Sequence, residues 1–209
     1  MSYGCTKEAA NLNANSSSTE NSSLAVDTYL PLTKGTYWKY KATNTTGNAD
    51  SVKHTVLGIP KLIESKNYQT ILSTNSNDRK DTMYYSHTRH DYYIYKEAGT
   101  DALEVLFLKD DAPVGAKWYV PAGSLIGTKV KCYGKIIAKN LTIKVGNKTY
   151  TNVIHSYVEI RQPLFFIYIV VARQDYYVAK NIGIVKNESN IVLPTSSSSS
   201  LNMYDYSVK

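Results

Sequence analysis

Cysteine, glycine, proline and long apolar runs are all scarce in this chain of 209 residues, and each scarcity narrows the fold classes open to it. Two cysteines cannot form a framework of several disulfides, so the fold must rest on an apolar core. The longest apolar run, residues 164–172, is much shorter than the roughly 20 residues that a membrane-spanning helix requires. A chain of this length buries about 70% of the surface that its unfolded form exposes, which is enough to fold without a metal or a disulfide.

The short motifs that mark common enzymes and nucleotide-binding proteins are also missing. The sequence contains no G-x-S-x-G, no H-E-x-x-H, no P-loop and no G-x-G-x-x-G. Its net charge is +7, but the lysines are scattered singly and no run of five cations occurs. Cys132 alternates with Val130 on the apolar side of a strand-like segment, which predicts a buried free thiol. We therefore predict a non-enzymatic protein that binds neither a cofactor nor nucleic acid.

The histidines offer one candidate metal site, in residues 86–91 (SHTRHD). His87, His90 and Asp91 could form a triad from a turn, with a more distant histidine as the fourth ligand. In a continuous strand, however, side chains three positions apart point to opposite faces. Arg89 would also repel a cation. We therefore interpret the segment as a polar hairpin turn and expect no metal.

Tyrosine is the abundant aromatic residue, with 19 Tyr against 3 Phe and 2 Trp. It suits half-buried pleated surfaces, where the ring packs and the hydroxyl reaches water or a partner. From residue 29 onward apolar and polar residues alternate with a period of two, so that Trp38 and Tyr40 share a face. Many short segments of this kind, separated by turn signals, predict an all-β domain built as an antiparallel meander, with at most one or two short helices. The serine run 196–200 is predicted to form a loop before a last strand at 201–208.

Residues 1–28 differ in composition from the rest of the chain. Residues 6–23 are rich in Asn, Ser, Ala and Glu, which is typical of a flexible tether. Residues 2–5 (SYGC) resemble the end of a bacterial lipoprotein signal, in which a small residue precedes the acylated cysteine. This resemblance implies that Cys5 carries a lipid anchor to a membrane and that residues 29–209 form the β domain.

Three segments together resemble a family of secreted envelope lipoproteins from Bacteroidetes-type bacteria. They are residues 29–40 (YLPLTKGTYWKY), 114–118 (VGAKW) and 176–186 (YYVAKNIGIVK), which match in order and spacing. The resemblance implies a curved, half-open β barrel similar to that of the LolA and LolB lipoprotein carriers. It also implies a lipid-anchored location in the cell envelope, periplasmic or surface-exposed, with the outer membrane as the expected site. These motifs carry no known chemistry, because their prolines and glycines serve turns.

Residues 163–171 (PLFFIYIVV) are the most suggestive segment of the domain. A half-exposed strand alternates in polarity, whereas this one is apolar on both faces, as in a central strand covered on both sides. Alternatively, one face lines a groove for an apolar ligand, and a bare strand of this kind would require a cover. The predicted groove residues are Trp38, Tyr40, Phe165, Ile167, Ile169 and Val171.

Three functions remain open at this point. The first is a non-enzymatic envelope lipoprotein whose curved sheet holds a hydrophobic ligand, such as a lipid or an acyl chain. The second is an assembly module of a surface complex that binds glycan or protein through exposed tyrosines such as Tyr84, Tyr92 and Tyr95. The third, a hydrolase, requires histidine and carboxylate groups clustered in one cleft.

Overall fold

The computed structural model describes residues 27–209, which form twelve β-strands. The strands are β1 (Tyr37–Asn44), β2 (Ala49–Ile63), β3 (Lys66–Asn75), β4 (Lys80–Thr88), β5 (Asp91–Ala98), β6 (Asp101–Lys109), β7 (Lys117–Leu125), β8 (Thr128–Val145), β9 (Lys148–Leu164), β10 (Ile167–Ala179), β11 (Gly183–Ile191) and β12 (Ser197–Ser207). Within this range no helix is long and apolar enough to cross a bilayer. Cys5 and the tether lie outside the described residues, so the predictions made for them stay predictions.

The strands follow one another around a single antiparallel sheet, and each lies beside its neighbours in sequence. Many of the connections are turns of two residues, the shortest that join antiparallel strands. The described residues contain no helix, so the optional short helices of the prediction do not occur there. The predicted all-β antiparallel meander is confirmed.

The prediction of a half-open barrel is wrong, because β1 and β12 pair along their length and close the sheet. Tyr37 lies opposite Ser207, and Asn44 lies opposite Ser199. The serines at 197–200 belong to β12, although the sequence predicted a loop there. They are held in a strand because β1 and β11 flank β12 on both sides and supply backbone hydrogen bonds.

The backbone pairing around the barrel is sparsest between β6 and β7, where a single residue pair, Leu103 with Gly123, joins the two strands. Beyond that pair the carbonyl oxygens of β6 accept hydrogen bonds from side chains of other strands. Trp118 Nε1 donates to the carbonyl of Leu106 at 3.0 Å, and Ser156 Oγ donates to the carbonyl of the next residue at 2.5 Å. These bonds satisfy buried carbonyl groups that would otherwise destabilise the fold.

The two ends of the barrel differ because successive turns of an antiparallel meander lie at opposite ends. The end at which residue 27 enters the barrel, here called the closed end, is filled by the segment that precedes β1. Leu30 is buried there, and the ring of Tyr29 packs edge-on against Tyr92 with centroids 6.4 Å apart. Asn181 Oδ1 accepts a hydrogen bond from the backbone N–H of Thr28 at 3.1 Å. The opposite end, here called the open end, carries the turns β1–β2, β3–β4, β5–β6, β7–β8, β9–β10 and β11–β12.

Aromatic side chains continue the core from the closed end to the middle of the barrel. Phe107 of β6 packs between Tyr92 and Tyr176, with ring centroids 6.3 and 5.1 Å apart. Trp38 is buried beside them, and its ring lies 6.3 Å from that of Tyr85. The closed half of the barrel is therefore occupied by the side chains of the protein itself.

Cys132 is a free and buried thiol, as the sequence predicts. Burial raises the pKa of its thiol to about 12. Because the thiolate is the reactive form, we expect Cys132 to resist iodoacetamide in the folded protein and to react once the protein is unfolded. Peptide-resolved mass spectrometry separates its labelling from that of Cys5. Equal labelling rates of Cys132 in native and denatured protein would contradict this expectation.

Candidate functional site

Two adjacent apolar cavities occupy the open half of the barrel. The deep cavity has a volume of about 230 Å³ and the mouth cavity about 340 Å³. Leu103 and Gln174 line both of them, which places the two side by side. Their sizes approach or fall within the range of small-molecule pockets, roughly 300–1,000 Å³. The deep cavity is lined by Tyr40, His54, Met83, Tyr85, Ile94, Lys96, Leu103, Val105, Gln174, Tyr176, Ile184, Asn187 and Leu201.

Polar groups at the wall of the deep cavity bind to other groups of the protein. His54 Nδ1 lies 3.4 Å from the hydroxyl of Tyr85, and the His54 ring packs 5.1 Å from the ring of Tyr40. Burial lowers the pKa of His54 to about 4, so its imidazole is neutral at pH 7. Tyr40 donates its hydroxyl hydrogen to the carbonyl of Ile184 at 2.9 Å. The surface left for a ligand is therefore mainly hydrocarbon and aromatic.

The mouth cavity lies between the deep cavity and the turns of the open end. Its lining is almost entirely apolar and comprises Leu103, Leu125, Ile126, Ile160, Val171, Ala172, Gln174, Ser189, Ile191, Leu193 and Pro194. Ile126, Ile191 and Leu193 are exposed to solvent as well. The apolar wall thus continues from the interior of the barrel to its outer surface.

Exposed apolar residues of three consecutive turns lie along one side of the open end, and we call them the apolar rim. The rim consists of Ile126 in the β7–β8 turn, Leu164–Ile167 around the β9–β10 turn, and Ile191 and Leu193 before β12. Phe165 is 93% exposed and Phe166 is fully exposed. A soluble domain rarely presents neighbouring aromatic side chains in this way unless they serve a contact.

The tip of the β9–β10 hairpin is not paired with the neighbouring strands. The pairing of β9 with β8 reaches Arg161 opposite Lys131, and the pairing of β10 with β11 reaches Ala172 opposite Ile191. Residues 162–170 continue past both. The neighbouring β7–β8 hairpin extends equally far past the pair of Lys131 with Arg161, because three residues of β8 and three of β9 lie beyond it.

Two residues of the rim have backbone conformations that L-amino acids rarely adopt. The φ angle is 50° at Ile126 and 51° at Phe165. Glycine and asparagine dominate such turn positions, whereas a β-branched or bulky side chain is strained there. Strained residues of this kind cluster at functional sites. Neither turn formation nor solubility favours an apolar side chain at these positions.

Three of the predicted groove residues lie inside the barrel. Tyr40 lines the deep cavity, and Val171 lines the mouth cavity. Trp38 belongs to the core, where its Nε1 donates to the carbonyl of Ile182 at 2.5 Å. The side-chain alternation around β1 predicted that Trp38 and Tyr40 share a face, and both are buried.

The other three predicted groove residues lie on the β9–β10 hairpin. Phe165 and Ile167 are exposed at its tip, and Ile169 is half-buried. The sequence predicted one continuous strand here, which is wrong, because Phe165 and Phe166 form the turn between β9 and β10. The six residues therefore do not form one groove. They divide between the interior of the barrel and its rim.

The histidine segment forms a hairpin turn, and its two histidines have different surroundings. His87 packs against the ring of Tyr92 with centroids 5.6 Å apart, whereas His90 Nδ1 lies 2.6 Å from Asp110 Oδ1. Ligand atoms of His90, Asp110 and Asp111 lie within 4.8 Å of one another. Tyr92 donates to the other carboxylate oxygen of Asp110 at 2.7 Å, so both oxygens already have protein partners. His90 and the two aspartates lie about 20 positions apart in the sequence, so the sequence analysis did not identify them as one group.

A larger cavity, of about 660 Å³, lies on the outer face of β6–β8. The β2–β3 hairpin leans over this face and forms one wall. Tyr68 of that hairpin donates a hydrogen bond to Glu104, and Lys66 Nζ lies 2.8 Å from the same carboxylate. Lys129, Lys131 and Tyr168 line the opposite wall. This polar and aromatic cavity was not predicted, because it depends on a hairpin packing against distant strands.

A hydrolase that acts through a serine, threonine or cysteine nucleophile holds that side chain beside a histidine. His155 Nε2 lies 2.7 Å from Asp175 Oδ1, and its ring stacks on Tyr177 with centroids 4.3 Å apart. Within residues 27–209 no serine, threonine or cysteine side chain hydrogen-bonds to a histidine.

The glycan hypothesis required exposed tyrosines, and Tyr92 does not meet this requirement because its side chain is buried.

No protein-family model and no curated protein matches this chain. Two solved structures resemble its fold. A predicted lipoprotein of Parabacteroides distasonis matches with a TM-score of 0.52 and 12% identity, over 87% of this chain and 99% of the other. A predicted exported protein with a YmcC-like fold from Bacteroides fragilis matches with a TM-score of 0.49 and 10% identity, over 84% and 98%. The first likeness shows a shared fold, and similarity to the LolA and LolB carriers stays a prediction.

Proposed function

We propose that this chain is a non-enzymatic envelope protein, anchored through Cys5, whose barrel binds an apolar ligand in the cavities of its open half. The continuous apolar surface that runs from the deep cavity to the rim carries the proposal. Apolar surface in contact with water is unfavourable, and an apolar ligand would remove it from water. A lipid or an acyl chain has the elongated shape that two adjacent cavities require.

The proposed location rests on the N-terminal pattern and is supported by the shared fold. Residues 2–5 resemble a lipoprotein signal, and the structure with the same fold is itself a predicted lipoprotein. One acyl chain binds a membrane only marginally, so stable anchoring at Cys5 requires the multiple acylation that bacterial lipoproteins carry. We expect the outer membrane as the site, with the domain periplasmic or surface-exposed.

The first experiment asks whether the purified chain carries a ligand. The full-length protein, prepared without detergent, is examined by native mass spectrometry and then extracted with organic solvent. We expect a discrete co-purifying lipid or fatty acid that adds a defined mass. A protein that is empty, and that stays empty after incubation with envelope lipids, would contradict the proposal.

Filling the mouth cavity should weaken ligand binding without unfolding the barrel. Ala172 is half-buried and lines the mouth cavity, so Ala172→Phe places a ring where the ligand would lie. We expect its affinity for a fluorescent fatty acid to fall by about 10-fold or more, since the ring removes the apolar surface that the chain would cover. Thermal stability should be maintained or raised, because a filled cavity gains packing.

The matched control places the same side chain outside the cavities. Ala98 is exposed at the end of β5, and Ala98→Phe should bind the fatty acid like the wild type. Wild-type affinity in Ala172→Phe would show that the cavity is not the binding site. Equal loss in both variants would indicate a non-specific effect of the added ring.

A second candidate function is supported by the outer cavity. Its tyrosines Tyr93, Tyr95 and Tyr168 and its lysines Lys129 and Lys131 are groups that bind sugar rings and acidic substituents. This arrangement favours a glycan-binding module of a surface complex. Glycan binding that is unchanged in Ala172→Phe, in a protein that carries no lipid, would favour this function over the first.

A further inference from the structure

The apolar rim has the composition of a surface that contacts lipid. Three turns at one end of the barrel expose large apolar side chains, and no described residue covers Phe165 or Phe166. Ile126 and Phe165 keep these side chains at strained positions, where glycine would form the turn at lower free energy. The unpaired tip of the β9–β10 hairpin carries the most exposed of them.

A belt of tyrosine and lysine lies directly behind the hairpin tip. The rings of Tyr119 and Tyr168 meet edge-on with centroids 6.1 Å apart, and both are exposed. Lys131 Nζ lies 4.9 Å from the first ring centroid and 4.8 Å from the second. Tyrosine and lysine are the residues that occupy the headgroup level of a membrane, where a ring is half-buried and a cation reaches phosphate.

The positive charges of the lysines around the belt favour contact with an anionic surface. Within residues 27–209, neither Lys129 nor Lys131 lies within ion-pair distance of a carboxylate. Asp101 lies beside the β7–β8 turn, and its carboxylate accepts a hydrogen bond from the backbone N–H of Gly127 at 3.0 Å. The two lysines therefore remain available to lipid phosphates.

We propose that the apolar rim inserts into the interface of an anionic lipid bilayer, with the two phenylalanines at the acyl boundary and the tyrosine–lysine belt at the headgroups. Apolar faces of peripheral proteins are buried at this interface to a depth of about 5–10 Å. This contact is separate from the Cys5 anchor and does not depend on a ligand in the barrel. It places the mouth cavity at the membrane surface.

The test uses the full chain with Cys5→Ser, so that no acyl anchor contributes to binding. We expect it to sediment with vesicles of phosphatidylcholine and phosphatidylglycerol, and less with phosphatidylcholine alone. Phe165→Ser combined with Phe166→Ser should lower the partition coefficient about 100-fold, since burying one such ring is worth roughly 10-fold or more. Lys129→Gln with Lys131→Gln should remove the preference for the anionic vesicles.

The matched control removes two exposed apolar side chains near the closed end. Val114→Ser combined with Ile137→Ser should leave vesicle binding within about 2-fold of the starting protein, since neither residue belongs to the rim. Circular dichroism of each variant verifies its fold. Failure of the Cys5→Ser chain to bind anionic vesicles, or an equal loss in the control variant, would overturn the proposal. A dimer in sedimentation velocity that the phenylalanine variant dissociates, without vesicle binding, would make the rim a self-association surface instead.

Discussion

Gly134→Val is expected to destabilise the barrel by about 3 kcal/mol or more, one of the largest effects that a single substitution can have here. The indole of Trp118 lies flat against Gly134, and a Cβ at that position would lie only 1.9 Å from Trp118 Cε2. Valine must therefore displace the indole. The displaced ring exposes apolar surface and loses the hydrogen bond that its Nε1 donates to Leu106.

Urea denaturation followed by circular dichroism measures this effect, and Gly146→Ala provides the control. Gly146 has a φ of 58° and no atom within 4 Å of the Cβ position, so its substitution adds backbone strain without a steric clash. We expect the control to lose about 1 kcal/mol. A Gly134→Val protein as stable as the control would show that the gap between β6 and β7 is not filled by a fixed indole.

Acidification should destabilise the folded protein through His54. The pKa of this buried histidine is about 4 in the folded state, against 6.5 for an unburied histidine. Its contribution is fully present above pH 6.5 and is lost as the pH falls towards 4, because only the unfolded chain binds the proton in that range. The loss should reach about 3 kcal/mol at the lower end of the range.

The measurement compares urea unfolding at about pH 7.5 and about pH 4.5 in wild type and in His54→Phe. The variant removes the titrating group, so its stability should fall less on acidification than that of the wild type. Val114→Ser is the control, because Val114 is exposed and carries no titrating group, so its pH dependence should match that of the wild type. Identical pH dependence in the wild type and His54→Phe would contradict the expectation.

The local features of the fold could be predicted from the sequence, and its closure could not. Alternation around Trp38 and Tyr40 predicted strands with one buried face, and Cys132 was predicted as a buried thiol. The pairing of β1 with β12 joins residues about as far apart as the chain allows, and polar serines in β12 give no apolar signal. Backbone hydrogen bonds on both sides hold those serines in the sheet, and such bonds leave no trace in composition.

The candidate site could be predicted only in part, because the turn at Phe165 and Phe166 lacks the residues by which hairpin turns are recognised. Hairpin turns are normally recognised by glycine, asparagine or proline, and the Phe165–Phe166 turn contains none of these. The apolar run was therefore interpreted as one strand, and the apolar rim could not be foreseen. Departures of this kind from local preference are expected at positions selected for function rather than for stability.

The order in which the strands can assemble follows from the meander. Every pairing joins consecutive strands except that of β1 with β12, so all but one can form as soon as two neighbours have been synthesised. The last pairing joins residues more than 150 positions apart, so it can form only after all the strands between them have been synthesised. Until β12 is available, β1 and β11 each present a row of unpaired backbone groups, and a nascent chain in this state is open to pairing with other chains. Folding of such a chain therefore has to outpace aggregation until its last described strand is in place.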